Sequence, residues 1–161
     1  MFDALCLQPF SIAESLIRIT RSVVIYGFQF TKALEQALTE SPLFGMHTGI
    51  VHLAWSQSDN EAGLLKGCKY VWTHRDRQPW GQPLPIQCPQ CGTVQKWSSI
   101  YLNDGSYKFE CTYIKCGDRG NERHGPRHTI SIQRPEVGEM LPKCNGRQGA
   151  WMKTPIKLTP A

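Results

Sequence analysis

The sequence contains no apolar run approaching the ~20 residues that span a bilayer, so no membrane-spanning helix is expected. Its first residues, Met1-Phe2-Asp3-Ala4-Leu5, carry no basic stretch ahead of an apolar one, which argues against a secretory leader. The recurring motifs of catalysis are missing too. There is no G-x-S-x-G elbow, Walker loop, H-E-x-x-H helix or carboxylate pair in an interpretable context, so an enzyme has little support. Neither an internal repeat nor a heptad pattern is present, which sets aside solenoids and coiled coils. Acidic residues are scarce in one part only. Residues 1–65 hold three basic side chains against six acidic ones, whereas residues 66–161 hold fifteen against seven. Such a basic segment suits a polyanionic partner through Coulomb attraction and counterion release, and it equally suits a solvated surface that keeps a domain soluble. With 161 residues and 40% apolar content, the chain fits one ordinary core or two small modules in an intracellular setting, nuclear or cytoplasmic.

What is present, above all, is cysteine in close pairs. Four of the seven cysteines form Cys88-Pro89-Gln90-Cys91-Gly92 and Cys111-Thr112-Tyr113-Ile114-Lys115-Cys116-Gly117. Each pair ends on a glycine that can take a positive φ, and two short chelating turns are what a tetrahedral thiolate site needs. The spacings are C-x2-C and C-x4-C, and the expected cofactor is one structural Zn²⁺ held by Cys88, Cys91, Cys111 and Cys116. Iron in a similar thiolate set, a redox pair and unmetallated thiols are the rival readings, and His124 or His128 is an alternative to Cys116 as fourth ligand. Cys6, Cys68 and Cys144 remain as free thiols. His47, His52 and Cys68 could form a Cys–His pair within the α/β segment, and a core histidine with a buried thiol is the simpler reading.

The local patterns predict an α+β chain. Ser11-Ile12-Ala13-Glu14 reads as a capping box opening a helix over about residues 12–20. Val23-Val24-Ile25-Tyr26 reads as a strand buried on both faces, and Thr31 as the cap of a second helix with Ala33, Leu34, Ala37 and Leu38 on its apolar stripe. Ile50–Trp55 and Lys69–Thr73 are further strands, separated by a polar loop from Ser56 to Gly67. These elements make residues 1–65 a small, incomplete α/β segment, either packed on the metal module or left from a larger domain. Residues 66–85 follow as a strand and stiff Pro-rich connector. Residues 86–135 form the metal module: a hairpin from Val94 through Asn103-Asp104-Gly105 to Cys111, then a strand at Thr129–Gln133. Residues 136–161 are a C-terminal extension in which Trp151 docks and Thr154–Ala161 is a loose tail.

The run of Cys-Pro-x-Cys-Gly, hairpin and Cys-x4-Cys-Gly resembles the zinc-ribbon group over about residues 86–133. The wider stretch from Trp72 to Trp151, with Pro79-Trp80-Gly81, is similar to the C-terminal end of certain uncharacterised fungal proteins. The ribbon likeness implies an antiparallel β module with Cys88, Cys91, Cys111 and Cys116 as ligands, while the fungal likeness implies no activity.

A module of this kind is expected to bind a macromolecule. Aromatic residues interleaved with basic ones suit stacking on bases above a phosphate-tracking surface. The residues expected to contact nucleic acid are Arg75, Arg77, Trp80, Lys115, Arg119, Arg123 and Arg127, with Trp80 and Tyr113 the aromatics expected to be exposed. A competing role for Lys96, Lys115 and Arg119 is to offset the formal −2 charge of a filled four-thiolate site. Nucleic acid leads as the partner; a protein-interaction or structural appendage of a larger α/β protein comes second, and a hydrolase-like remnant third.

Overall fold

The computed structural model describes residues 2–3, 9–41, 45, 48–58, 61–94, 97–118, 125–143 and 149–156. Contacts divide the chain into two units, residues 1–73 with 136–161, and residues 74–135. In chain order the first unit contributes β1 (Phe2–Asp3), α1 (Pro9–Val24), α2 (Phe30–Glu40), β2 (Gly49–Ser58) and β3 (Glu61–Thr73). The second contributes β4 (Trp97–Tyr101), β5 (Tyr107–Cys111) and β6 (Thr129–Ile132), after which the chain returns to the first with β7 (Glu139–Met140) and β8 (Ala150–Ile156). All strand pairs among the described residues are antiparallel, so the protein is α+β, and the expected α/β character of residues 1–65 is corrected.

In the first unit, α2 buries Ala33, Leu34, Ala37 and Leu38, the stripe expected from their spacing. Its N-cap is Gln29, with no side-chain cap bond, rather than Thr31. α1 starts at Pro9, where proline's missing N–H costs nothing, so Ser11 lies inside the helix instead of capping it. The helix also runs on through Val24, and the expected strand Val23–Tyr26 does not form. Ile19 and Val23, four apart, continue one helical stripe into the core, while Val24, Ile25 and Tyr26 are 75%, 69% and 54% exposed. Packing of that stripe overrides the β-branched propensity of the run.

The five-stranded sheet has the order β1-β2-β3-β8-β7. Ile50, Tyr70, Trp72 and Trp151 share its helix-covered face and form one core with Ile19, Leu34 and Leu38. Trp72 and Trp151, direct cross-strand partners, meet edge to face with centroids 5.9 Å apart. The expected loop Ser56–Gly67 is mostly strand, because β2 and β3 pair as far as Ser58 opposite Glu61. The expected tail is corrected as well. Residues 154–156 belong to β8, whose register sets Thr154 opposite Lys69, while residues 157–161 lie outside the described residues. On the same face, Tyr70 and Lys153 donate to one oxygen of Glu35 at 3.1 and 2.8 Å. Burial first, and then Glu35, raises the Tyr70 phenol above its ordinary value; the Glu35 hydrogen bond raises Lys153.

In the second unit, β4, β5 and β6 form a separate sheet. Alternation places Trp97, Tyr107, Phe109, Cys111 and Ile132 on one face, and Phe109, Cys111 and Ile132 are buried there. Lys108 points the other way and is exposed. The Pro-rich stretch before the first cysteine is no rod. It makes a turn at residues 75–77 and a 3-10 turn at Pro79–Gly81, and it is bound to the hairpin at three points. Ser99 Oγ donates to Asp76 at 3.3 Å, Trp80 Nε1 to Gly105 O at 3.0 Å, and Trp97 Nε1 to Pro85 O at 3.0 Å.

Candidate metal centre

Two turns and one strand end supply the four sulfurs. The first pair closes on itself when Cys88 N–H donates to Thr93 O at 3.1 Å and Gly92 N–H to Cys88 O at 2.8 Å, with Gly92 at φ 70°. Cys111 is the last residue of β5, so its position is fixed by the sheet, and its N–H donates to His128 O at 3.0 Å. The wider spacing of the second pair is taken up by a turn in which Cys116 N–H donates to Tyr113 O at 3.0 Å. Gly117, at φ 96°, then passes so close to Gly125 that an added Cβ would meet its carbonyl oxygen at 2.4 Å.

Together these constraints bring the ligand atoms of Cys88, Cys91, Cys111 and Cys116 within 4.8 Å of one another. Cys88 and Cys116 lie 3.9 Å apart and Cys91 and Cys111 3.8 Å, sulfur to sulfur. Metal–sulfur bonds of ~2.3 Å in a tetrahedron place sulfurs ~3.8 Å apart, whereas a disulfide needs ~2.05 Å. The four cysteines therefore cluster at metal-binding distance, and the donor set fits a tetrahedral thiophilic ion. No family model, curated protein or solved structure matches the chain.

The surroundings treat the sulfurs unequally. Hydrogen bonds from the Thr93 hydroxyl and N–H lower Cys91 to about 6, while burial raises Cys111 to about 12 and raises Cys116 above its ordinary value. Tyr113 N–H donates to the Cys111 sulfur and His128 N–H to that of Cys116. Buried sulfurs of this kind accept the thiolate form when a cation shares their charge, and donors aimed at sulfur trim what remains. Thr93, Tyr113 and His128 are the supporting residues that sequence reasoning missed. The only available signal was the threonine directly after Cys91-Gly92.

The other expected residues are more dispersed. His128 contributes backbone groups to the centre and its ring lies 6.1 Å from that of Trp97, so it does not replace Cys116 in the cluster. Arg75 and Arg77 are exposed on the turn before the 3-10 element, with Arg75 3.9 Å from Asp76. Lys115 is exposed in the second cysteine loop, and Arg127 lies 3.6 Å from Glu110. Lys96, Arg119, Arg123 and His124 lie outside the described residues, as do Cys6, His47 and Cys144. Trp80 and Tyr113, expected to be exposed, are half-buried. Trp80 packs on Tyr107 at 5.7 Å with Arg134 over its ring at 5.3 Å, and Tyr107 packs in turn on Tyr101 at 5.0 Å. Tyr101 is the exposed end of this row, at 52%. In the first unit His52 and Cys68 face each other across β2 and β3, but no hydrogen bond joins thiol and imidazole, and His52 lies against Phe30.

Charge follows the folded units differently from the linear halves. Residues 74–135 hold nine basic side chains against five acidic, and the remainder nine against eight. The asymmetry between the first 65 residues and the rest thus shrinks once β7 and β8 join the first unit.

Proposed function

We propose that residues 74–135 are a structural zinc module of the ribbon type, and that the chain acts as a macromolecule-binding protein. The observation that carries the zinc reading is four protein sulfurs within 4.8 Å of one another, two of the pairs at the spacing of a tetrahedral site. Such a set fills the coordination of the ion and leaves no position for water or substrate, the arrangement of structural rather than catalytic sites. Zinc suits a redox-silent structural role; an iron centre in the same sulfurs would be coloured and redox-active.

Nucleic acid is the partner this reading takes first. Its support is the row Trp80, Tyr107 and Tyr101, with Arg134 over Trp80, in a unit that carries more basic than acidic side chains. Tyr101, the exposed end of the row, offers a ring face on which a base can stack without demanding a sequence. Titration of zinc-loaded protein with single-stranded DNA and RNA over a salt series tests it, with log affinity expected to fall linearly with log salt. Absence of binding near ~50 mM salt moves the assignment to protein interaction. That second reading has its own observation, the exposure of the apolar Leu53 and Trp55 on β2.

A further inference from the structure

The turn that joins α1 to α2 carries apolar side chains where a helix connection is ordinarily polar. Residues 12–41 are described without a gap, and within them Ile17, Val24, Ile25 and Tyr26 are each more than half exposed. Ile17 and Val24, seven apart, lie along one line of α1, on the side opposite to the core residues Ile19 and Val23. The end of α1 is therefore apolar on both faces, and only one of them is spent on the core. Beyond it the chain turns at Gly27, with φ 67° and nothing within 4 Å of an added Cβ, so the tip stands clear of the rest of the fold. Two cations collar it. The Arg21 guanidinium lies 5.4 Å over the ring of Tyr26 and donates to its phenol oxygen at 2.8 Å, and the Lys32 ammonium lies 5.3 Å over the ring of Phe28. No acidic residue occurs between Glu14 and Glu35. Those two are already engaged, Glu14 with Arg18, which also binds Glu40, and Glu35 with Tyr70 and Lys153.

We propose that this tip docks on an anionic lipid bilayer, with Val24, Ile25, Tyr26 and Phe28 entering the headgroup layer and Arg21 and Lys32 at the level of the lipid phosphates. The order of chemistry along the tip carries the assignment. Aliphatic side chains stand outermost, amphipathic and aromatic rings come next, and cations follow one turn behind, which is the sequence of environments met on crossing from acyl chain through headgroup to water. A cation held over a ring brings charge and apolar surface to the same depth, as an interface that is apolar below and negative above requires. Shape points the same way, since a convex tip sinks into a fluid surface that yields around it. No helix among the described residues is long and apolar enough to cross a membrane, so the contact is interfacial. The proposal stands independently of the metal centre and of the nucleic-acid reading.

The test uses the full zinc-loaded chain and two sets of vesicles, phosphatidylcholine alone and phosphatidylcholine with phosphatidylserine in about equal amounts, in a sedimentation assay. The protein is expected to sediment with the anionic vesicles and far less with the neutral ones, and amide exchange within residues 22–30 should slow at least roughly tenfold on the anionic surface. Val24→Ser with Ile25→Ser, both at exposed positions, should weaken that binding at least roughly tenfold while leaving the circular dichroism unchanged. Arg21→Gln with Lys32→Gln should weaken it about thirtyfold, the value of two cations at such a surface. Absence of sedimentation with anionic vesicles overturns the proposal. Sedimentation that the Val24 and Ile25 pair leaves unchanged also overturns it, because the basic surface elsewhere on the chain would then be the contact. Equal binding to neutral vesicles refutes the anionic assignment. A concentration-dependent dimer that the same pair dissociates, in protein that ignores vesicles, would make a second copy the occupant and overturn the proposal equally.

Discussion

Gly92 and Gly117 follow the two cysteine pairs in the same way, but replacing each by alanine should have very different consequences. Both have positive φ, at 70° and 96°, and a Cβ there costs ~1–2 kcal/mol in backbone strain alone. Around Gly92 nothing lies within 4 Å of the added carbon, so strain is the whole penalty. At Gly117 the carbon would sit 2.4 Å from Gly125 O and 2.8 Å from Pro126 O, both backbone atoms. Relieving that overlap must push the 125–128 segment outward, and His128 N–H and C=O bond Cys116 Sγ and Cys111 N–H. Overpacking typically adds ~1–3 kcal/mol, so the sum for Gly117→Ala is about 2–5 kcal/mol. At ~1.4 kcal/mol per decade, Gly92→Ala should weaken metal binding at the four cysteines about five- to thirtyfold, and Gly117→Ala from about thirtyfold to more than a thousandfold. Competition against a chromogenic chelator measures both. Equal losses for the two variants would refute the close approach of Gly117 to Gly125 as a support of the centre.

In the first unit, Tyr70 and Lys153 hold their protons more tightly folded than unfolded, so their cluster's contribution is present below the ordinary values of 10.0 and 10.5 and is lost as pH rises through the raised folded ones. Urea unfolding followed from pH 7 to 11 should show stability falling at the alkaline end, less steeply in Glu35→Gln. Val24→Ser should change stability by less than ~0.5 kcal/mol, whereas Leu34→Ala, at a position 4% exposed, should cost ~2–5 kcal/mol in the same denaturation assay. If the aromatic row stacks bases, Tyr101→Ala should weaken single-strand binding by ~1–3 kcal/mol with the salt slope unchanged, while Arg75→Ala with Arg77→Ala should flatten that slope.

The parts legible in the sequence were those whose signals are local. Cys88 and Cys91, Cys111 and Cys116, the Asn103–Gly105 turn and the alternation through Tyr107, Phe109 and Cys111 each specify their geometry within a few residues. The stripe Ala33, Leu34, Ala37 and Leu38 does the same for α2. The misreadings arose where distant partners decide. Val23–Tyr26 has strand composition, but the packing of Ile19 and Val23 on the core extends α1 over its first half. Lys153-Thr154-Pro155 has no apolar period and contains a proline, yet it pairs with β3 across a whole inserted unit, as the bond from Thr73 Oγ1 to Ala150 O illustrates. Pro155 is tolerated because β7 pairs with β8 only at Met152 and Lys153, so that side of Pro155 needs no ladder donor. Apart from the Thr93 hydroxyl, the supporting donors to the sulfurs are backbone N–H groups, which no residue type announces.

The most direct test of a structural zinc centre is the metal content of the intact chain, measured by native mass spectrometry and elemental analysis of protein made with both zinc and iron supplied. One zinc ion per chain is expected, retained through dialysis and lost in Cys111→Ser together with the cooperative melting of residues 74–135. Iron in its place, or a metal-free chain whose residues 74–135 melt as cooperatively as before, would contradict the account.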